Sequence, residues 1–591
     1  MERLTAVQPD SCSSGHSKLR KIEFVTIPTS TSSFRDARDQ LLRLREGHER
    51  ASAEFAWPEV GTSFNWATDW FDVIADGNDK TALWIVEEDG RELKVSFAQM
   101  STRSDQVALW LIARGVKPGD HVMLMLGNQV ELWELMLGIM KAGAVILPTS
   151  TVLAAGDLAD RVRRGGVDHV IANTGDAGKF AEVEGDYSRI CVGEAVDGWA
   201  HYADVDLVAP GKTTVTVASD DPSLIYFTSG TTSKPKMVVH TQTSYPVGHL
   251  TTMFWIGVRP DDVHLAISSP GWGKHAWSSF FAPWIAEATV FVYNYARFDP
   301  FALADQLHRA KVTTFCAPPT VWRMLIQSDL GAKPEGLREI LSAGEPLNPE
   351  VISQIQRAWG LTIRDGYGQT ETTAIVGNAP GSRLKAGSMG LPLPGVRINL
   401  VDPITGEVMD EGEICLDLSE TAVNLMAGYH GDPERTAEGV RDGYFHTGDV
   451  ASRDSDGYIT FIGRTDDIFK SSDYKVSPFE VESVLLEHPA VAEAAVVPAP
   501  DDTRLNIAKA YIALAAGWES NGQTALEVLR HARNGLPPYM RVRRVEFFEL
   551  PKTSSGKIRR VELRMREDAA AATRTRLPDE WRDDQFPELK R

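Results

Sequence analysis

The sequence predicts an α/β fold: a large amino-terminal domain of βαβ-built sheets plus a small antiparallel β piece, then a smaller α+β domain. Three observations carry this prediction. From about residue 80 to about residue 400, short β-branched or apolar runs alternate with amphipathic stretches, the signature of parallel sheets with helices on their faces. Toward residue 400 and beyond, the segments shorten between turn signals (DPITGE, DEGE, RDGY, DSDGY), as antiparallel strands require. Near residue 463 the composition changes, and a second domain is expected from 464 to 591.

Residues 1–40 are expected to form an extension. The first 33 are rich in Ser and Thr, and Glu2, Asp10, Glu23 and the lack of an apolar core argue against a signal or transit peptide. The large domain is expected over 41–463. Its strands are read from HVMLML, AVILP, DHVIAN, SLIYF, VHLAIS and ATVFVYN, then from VTTFCAPP, LREILSAGEP and LTIRDGYG. ELWELMLGIMKAG carries its apolar residues at helical spacing. In the small domain SPFEVESVLLEHPAV reads as a helix, AEAAVVPAP as a strand and TALEVLRHARNGL as a helix, before a Lys/Arg-rich tail.

The chain of 591 residues, 43% hydrophobic and 24% charged, has the composition of a folded globular protein. Its net charge of −20 disfavours nucleic acid and anionic membranes as partners, so anionic small ligands must be held by local groups. Cysteines 12, 191, 316 and 415 lie too far apart for a CxxC metal site or a disulfide framework, and a reducing cytoplasm is the expected compartment. No uncharged apolar run reaches the roughly 18 residues that span a bilayer, so no stable membrane insertion is expected; Glu131, Glu134 and Lys141 interrupt the greasiest stretch, 121–150. The sequence leaves the oligomeric state open.

The segment YFTSGTTSKPK, 226–236, follows an apolar run and gathers Thr228, Ser229, Gly230, Thr231, Thr232, Ser233 and Lys236 on a strand-end loop. Such a loop turns N–H groups, hydroxyls and ammonium charge toward phosphate oxygens. It is not a Walker loop: Gly211, Lys212 and Thr213 offer GKT, but Asp206 stands where the first glycine belongs. In GWGKHAWSS, Gly271, Gly273 and Ala276 formally satisfy a dinucleotide fingerprint, but Pro270 precedes it and the acid that follows, Glu287, comes too early. No G-x-S-x-G or other Ser-His-Asp or Cys-His arrangement suggests a protein nucleophile.

The 226–236 loop resembles the phosphate loop of AMP-forming acyl-CoA synthetases, in the adenylate-forming superfamily that includes luciferases and adenylation domains. AGEPLNPE (343–350), DGYGQTET (365–372), GYFHTGDV (443–450), GRTDDIFKSSDYKVSPFEVES (463–483) and PKTSSGKIRR (551–560) match it in the expected order, across roughly residues 60–570. The likeness leans toward the medium-chain branch. It implies a mobile small domain and an ATP-dependent, AMP-forming carboxylate–CoA ligase.

By this resemblance Tyr367 stacks on adenine, with Gly344, Glu345 and Pro346 on its other side, within a nucleotide site that includes Asp365, Gly366, Gly368 and Gln369. Thr370 donates to the α-phosphate and Glu371 holds Mg²⁺, a hard cation suited to carboxylate and phosphate oxygens. Asp449 accepts from the ribose hydroxyls, Arg464 assists on the sugar side, and Asp466 is the hinge. Lys557 bridges carboxylate and α-phosphate, and Lys475 contacts the nucleotide or substrate side. Ser472, Asp473 and Tyr474 line the pantetheine passage and Arg504 meets a coenzyme A phosphate.

Two departures follow. Ser233 and Asp473 stand where relatives commonly carry glycine, and an Asp473 side chain pointing inward would narrow the thiol passage. Trp272 is expected to wall the acyl pocket, with Trp277 and Trp284 nearby, and Gly368 to leave room where acetate-restricted synthetases carry tryptophan. The substrate is therefore expected to be a medium-chain, branched or aromatic monocarboxylate. A lysine acyltransferase or deacylase acting on Lys557 is an expected regulatory partner, because acylation cancels its charge. Two alternatives stay open: loading of a carrier-protein phosphopantetheine, and a catalytically silent nucleotide-binding protein.

Overall fold

The computed structural model describes residues 29–228, 235–345, 347–385, 387–472, 474–501, 504–552, 557–573, 575–577 and 579–590. Two large sheets form the frame of the amino-terminal part. The nine-stranded one has parallel central strands Thr81–Val86, Thr289–Tyr293, Val263–Ala266, Thr314–Cys316, Glu339–Ala343 and Arg364–Gly368, flanked by antiparallel edges. The eight-stranded one runs from Gly428–Tyr429 through Lys236–Thr241, Pro222–Thr228, Val145–Pro148, His121–Met125, His169–Asn173 and Ser188–Val192 to Ala200–His201.

The apolar stretch 121–150 resolves into a βαβ unit. Parallel strands His121–Met125 and Val145–Pro148 are joined by the helix Val130–Lys141, which is buried on nearly every side. Its one buried cation is paired: Lys141 Nζ meets Asp72 at 2.7 Å and Asp105 at 2.6 Å. Among the described residues no helix is long and apolar enough to cross a membrane.

The expected extension reaches less far than residue 40. Helix Ser30–Leu44, capped by Thr29, buries Phe34 and Leu41 in the main core, and Phe34 packs edge-on against Trp70 at 4.9 Å. Its apolar residues are too few in composition to stand out among the Ser and Thr before them, but they fall on one face.

The turn-rich region is a five-stranded antiparallel sheet built around Glu411–Asp417 and Tyr444–Arg453, with Ile459–Arg464 as an added strand. After it come the hairpin Phe469–Ser471/Tyr474–Val476 and a four-stranded sheet, Val491–Asp501, Leu505–Leu514, Val542–Phe547 and Glu580–Arg582. Helices Pro478–Leu485 and Gly522–Gly535 contribute to a core of their own around Val496 and Ile512. The Lys/Arg-rich tail is helix Arg560–Thr573 plus the edge strand Glu580–Arg582. Lys509 is fully buried where these elements meet and bonds Glu546, Glu567 and Glu580 at 2.7, 2.7 and 2.9 Å.

Candidate active site

A cavity of about 1280 Å³ lies where strands from both large sheets end, and residues of the antiparallel sheet and the small domain close it. Thr228, Ala266, Tyr293, Ala343 and Gly368, each the last residue of its strand, line it. Crevices beyond the carboxyl ends of parallel strands are the usual ligand sites of α/β sheets.

Strand Arg364–Gly368 carries Asp365, Gly366, Tyr367 and Gly368 into the cavity, and Gln369, Thr370 and Glu371 follow it. Gly366 is required by close approach: a Cβ there would stand 2.3 Å from the Trp255 ring. The Tyr367 hydroxyl donates to Asp449 Oδ2 at 2.7 Å and Gln369 Nε2 to the same oxygen at 2.6 Å, while Arg464 Nη1 lies 3.3 Å from Asp449 Oδ1. Burial pushes the Asp449 carboxyl up, against the pull of Arg464, the two hydrogen bonds and the charge of Lys557. The Asp365 carboxyl accepts from the Gly366 N–H at 2.9 Å, and burial pushes it up to about 8. Gly344 and Glu345 line the same cavity; Pro346 lies outside the described residues.

On the opposite side, Thr228 and Lys236 face each other across the antiparallel pair that brackets the Ser/Thr loop, and both line the cavity. Ser229, Gly230, Thr231, Thr232 and Ser233 lie outside the described residues. Lys236 Nζ is 3.9 Å from Glu371 Oε1, which also accepts from the Tyr429 hydroxyl at 2.9 Å. Burial lowers the Lys236 ammonium below its ordinary value.

The small domain closes the cavity with Lys557. Its approach is braced by Arg560, which grips the buried Glu482 through Nη2 at 2.6 Å and Nε at 3.1 Å, and by Arg564 on Asp467. Burial opposes the Arg560 charge, but Glu482, Asp467 and Glu345 of the large domain hold it above its ordinary range. Asn348 Nδ2 donates to the Ser483 carbonyl at 3.3 Å across the domain boundary. Asp466, the expected hinge, accepts from Arg464 Nε at 3.1 Å.

Ser472 and Tyr474, expected along the thiol passage, do not line this cavity. Ser472, in a left-handed conformation, donates its N–H to the Arg504 carbonyl at 2.8 Å, and the exposed Tyr474 ring stacks on Tyr539 at 4.7 Å. Lys475, expected beside the nucleotide, is exposed on the same hairpin. There, turn hydrogen bonds from Thr405 and Ile404 and, more weakly, the Lys475 charge hold the Asp402 carboxyl below its ordinary value. The physical reason is orientation: with Lys557 turned in, this hairpin faces away. Asp473 lies outside the described residues.

Of the residues expected around the acyl group, Trp272, Trp277 and Gly368 line the cavity, whereas Trp284 is fully buried core, donating to the Ala82 carbonyl at 3.0 Å. The space beside Gly368 is not free, as its lack of a side chain suggests. A Cβ there would meet the Thr373 carbonyl oxygen at 2.1 Å and the Trp277 ring at 2.7 Å. Trp277, fixed by its Nε1 bond to the Tyr245 hydroxyl at 2.7 Å, reaches over from its own helix to fill that volume.

Several contributors escaped the sequence reading. His240, kept neutral by burial that drives it down to about 4, bonds the Thr370 carbonyl at 2.7 Å. Glu413 accepts from His446 Nδ1 at 2.8 Å and from the Gly448 N–H at 2.7 Å, anchoring the turn that presents Asp449. Tyr429, in GYHGDPE, is the one member whose motif-like setting could have drawn notice.

Comparison with known proteins agrees with this geometry. The sequence model of the AMP-binding enzyme family matches residues 71–430, and that of the AMP-binding enzyme C-terminal domain matches 480–557. The chain is 43% identical over 516 residues to 4-hydroxybutyrate–CoA ligase 1 of Metallosphaera sedula, covering 85% of this chain and 91% of that protein. It is 37% identical over 526 residues to the mitochondrial acyl-coenzyme A synthetase ACSM3 of Homo sapiens, covering 85% and 90%. The solved anthranilate CoA ligase AuaEII, in complex with anthranoyl-AMP, superposes with a TM-score of 0.79 at 28% identity, over 87% of this chain and 99% of that one. The chain thus belongs to the AMP-binding enzyme family, as an acyl-CoA synthetase of the AMP-forming type.

Proposed function

We propose that this carboxylate–CoA ligase forms its acyl-adenylate in the cavity between the two large sheets and the small domain, with the residues gathered there in the following roles. Tyr367, Gly344 and Glu345 hold adenine, Asp449 and Arg464 the ribose, and Thr228, Lys236 and Thr370 the phosphates. Glu371 suits Mg²⁺: a buried carboxylate beside the groups proposed to bind phosphate would supply one hard oxygen ligand. Bound there, Mg²⁺ would neutralise phosphate charge.

The carboxylate oxygen attacks the α-phosphorus and pyrophosphate leaves. Lys557 and Thr370 stabilise charge on the oxygens at that centre, so catalysis is positioning plus electrostatics. The small domain, taken as 464–591 against a large domain of 41–463, then turns about Asp466. The hairpin carrying Ser472 and Tyr474 replaces Lys557, the coenzyme A thiol attacks the acyl carbonyl, and AMP leaves. Arg504 belongs to a positive patch: burial, and then the charges of Arg504, Arg541 and Arg533, lower Arg543 despite Asp583. That patch favours the phosphates of free coenzyme A over a carrier protein.

Relatives act on 4-hydroxybutyrate, benzoate and anthranilate, and this reading keeps the breadth of a medium-chain, branched or aromatic acid. The described cysteines, Cys191, Cys316 and Cys415, are buried free thiols, in keeping with a reducing cytoplasm.

The observation that carries the reading is the convergence of Tyr367, Asp449, Glu371 and Lys557 on one cavity. Pyrophosphate release over a panel of acids, with and without coenzyme A, tests it. Lys557→Ala should cut release at least about 100-fold while sparing thioester formation from supplied acyl-adenylate. Equal losses in both assays would contradict the assignment.

A further inference from the structure

The roles above leave Lys274, a cation of the cavity wall, without a task. Lys274 lines the acyl side, one residue after Gly273, where a Cβ would stand 3.4 Å from Thr370 Oγ1 and 3.0 Å from the Tyr245 hydroxyl. Gly273 therefore marks the end at which the acid meets the phosphate. The Lys274 side chain runs the other way, along its helix, and Nζ donates to Ser278 Oγ at 2.9 Å and lies 2.8 Å from Cys316 Sγ. Ser278 and Cys316 are both fully buried. Ser278 is four residues on, past the junction of helix Gly273–Ala276 with the π-helical turn Trp277–Phe281, so the ammonium is held about one helical turn on from the Gly273 end.

These partners are neutral. Among the described residues no carboxylate forms an ion pair with Lys274, in contrast to Lys141 and Lys509, the two fully buried ammonium groups, which have two and three carboxylates. An ammonium carries three donors; a hydroxyl and a thiol engage two, and beyond them, among the described residues, Nζ meets only the face of the Trp255 ring, 5.8 Å from its centroid. Desolvating it against a plain alkyl tail would cost free energy with no compensating bond.

We infer that Lys274 is a specificity-determining residue that receives a second oxygen at the far end of the acid. Within the breadth proposed above, the substrates it selects are carboxylic acids with a hydroxyl, carbonyl or carboxylate oxygen at the far end. Trp272 and Trp277 wall the carbon chain between the two ends. This rests on the assignment of the cavity to acyl-adenylate formation.

The test is a comparison of kcat/KM for pyrophosphate release by the full chain with 4-hydroxybutyrate, succinate and pentanoate, acids of similar length that differ at the terminal group. The wild type should favour at least one oxygen-bearing acid over pentanoate by about 10-fold or more. Which of the two is favoured separates a neutral acceptor from an anionic one. Lys274→Met should reduce that ratio by about 10- to 100-fold, and Lys274→Arg should restore part of it. ATP binding by equilibrium dialysis reports that each variant is folded. A wild type that favours pentanoate, or a Lys274→Met variant that slows all three acids by one common factor, overturns the inference alone. Absence of pyrophosphate with every acid tried would remove the underlying assignment as well.

Discussion

Asp365 is the residue whose protonation most clearly couples the cavity to pH. Its folded-state value of about 8 stands above the ordinary 3.8, so the folded chain keeps a proton that the unfolded chain releases. The stability this contributes is complete below 3.8 and is lost as pH rises through about 8. Asp365→Asn removes the proton uptake, so the nucleotide-free variant should lose less thermal midpoint than the wild type between pH 5 and pH 8. A wild-type slope no steeper than the variant's would refute the burial assignment. Residues of this kind were legible when they sat inside a matched motif, as Asp365, Tyr367, Glu371 and Asp449 do. Tyr429 and His240 were not, since they meet Glu371 and Thr370 from 58 and 130 positions away, contacts that only folding creates. Gly368 was legible as a position and misleading as a volume, because nothing in the local sequence tells that the Trp277 ring occupies its neighbourhood.

At the level of the element, helices Pro478–Leu485 and Arg560–Thr573 act as one bracket, clamped by the Arg560–Glu482 pair at 2.6 Å. Glu482 is buried, so Glu482→Ala leaves Arg560 without its main counterion, a loss of about 3–5 kcal/mol for a broken buried pair. Because Arg560 lies three residues after Lys557, pyrophosphate release should fall more than thioester formation from supplied acyl-adenylate; parallel losses would mean only a weakened domain. Asp466→Pro addresses the joint between the domains. Proline narrows the backbone choice at that point, and with Lys557 already turned in, pyrophosphate release should survive while acyl-CoA formation drops. Retention of full acyl-CoA synthesis would exclude Asp466 as the pivot. Strands and helices with clean periodicity were readable: the run at 121–150 folds as strand, helix and strand. The edge strand Glu580–Arg582 was not, since its three residues pair by register with Val542–Phe547 and carry no alternation of their own.

For the molecule as a whole, the α/β class, the antiparallel insert and the second domain all follow from sequence patterns, whereas the relative orientation of the domains does not. That orientation is selected by a few contacts across the boundary, such as Asn348 on Ser483, that have no signature in composition. It also places Lys557 at the cavity and the Ser472 hairpin outside it, the arrangement the proposed adenylation step calls for. The N-terminal helix shows the same limit from the other side: Phe34 and Leu41 seal part of the core, though the segment begins in a polar run.

The Glu580–Arg582 strand closes one flank of the last sheet, and its Glu580 is one of three acids neutralising Lys509. The family match ends at 557, well short of it. A shortened protein stopped after residue 573 would keep every motif residue yet bare the hydrogen-bonding rim of Val542–Phe547, a ready template for intermolecular pairing. Such a protein should form oligomers detectable by light scattering at concentrations where the full chain gives none; equal scattering from both would show that the terminal strand is not a guard against self-adhesion.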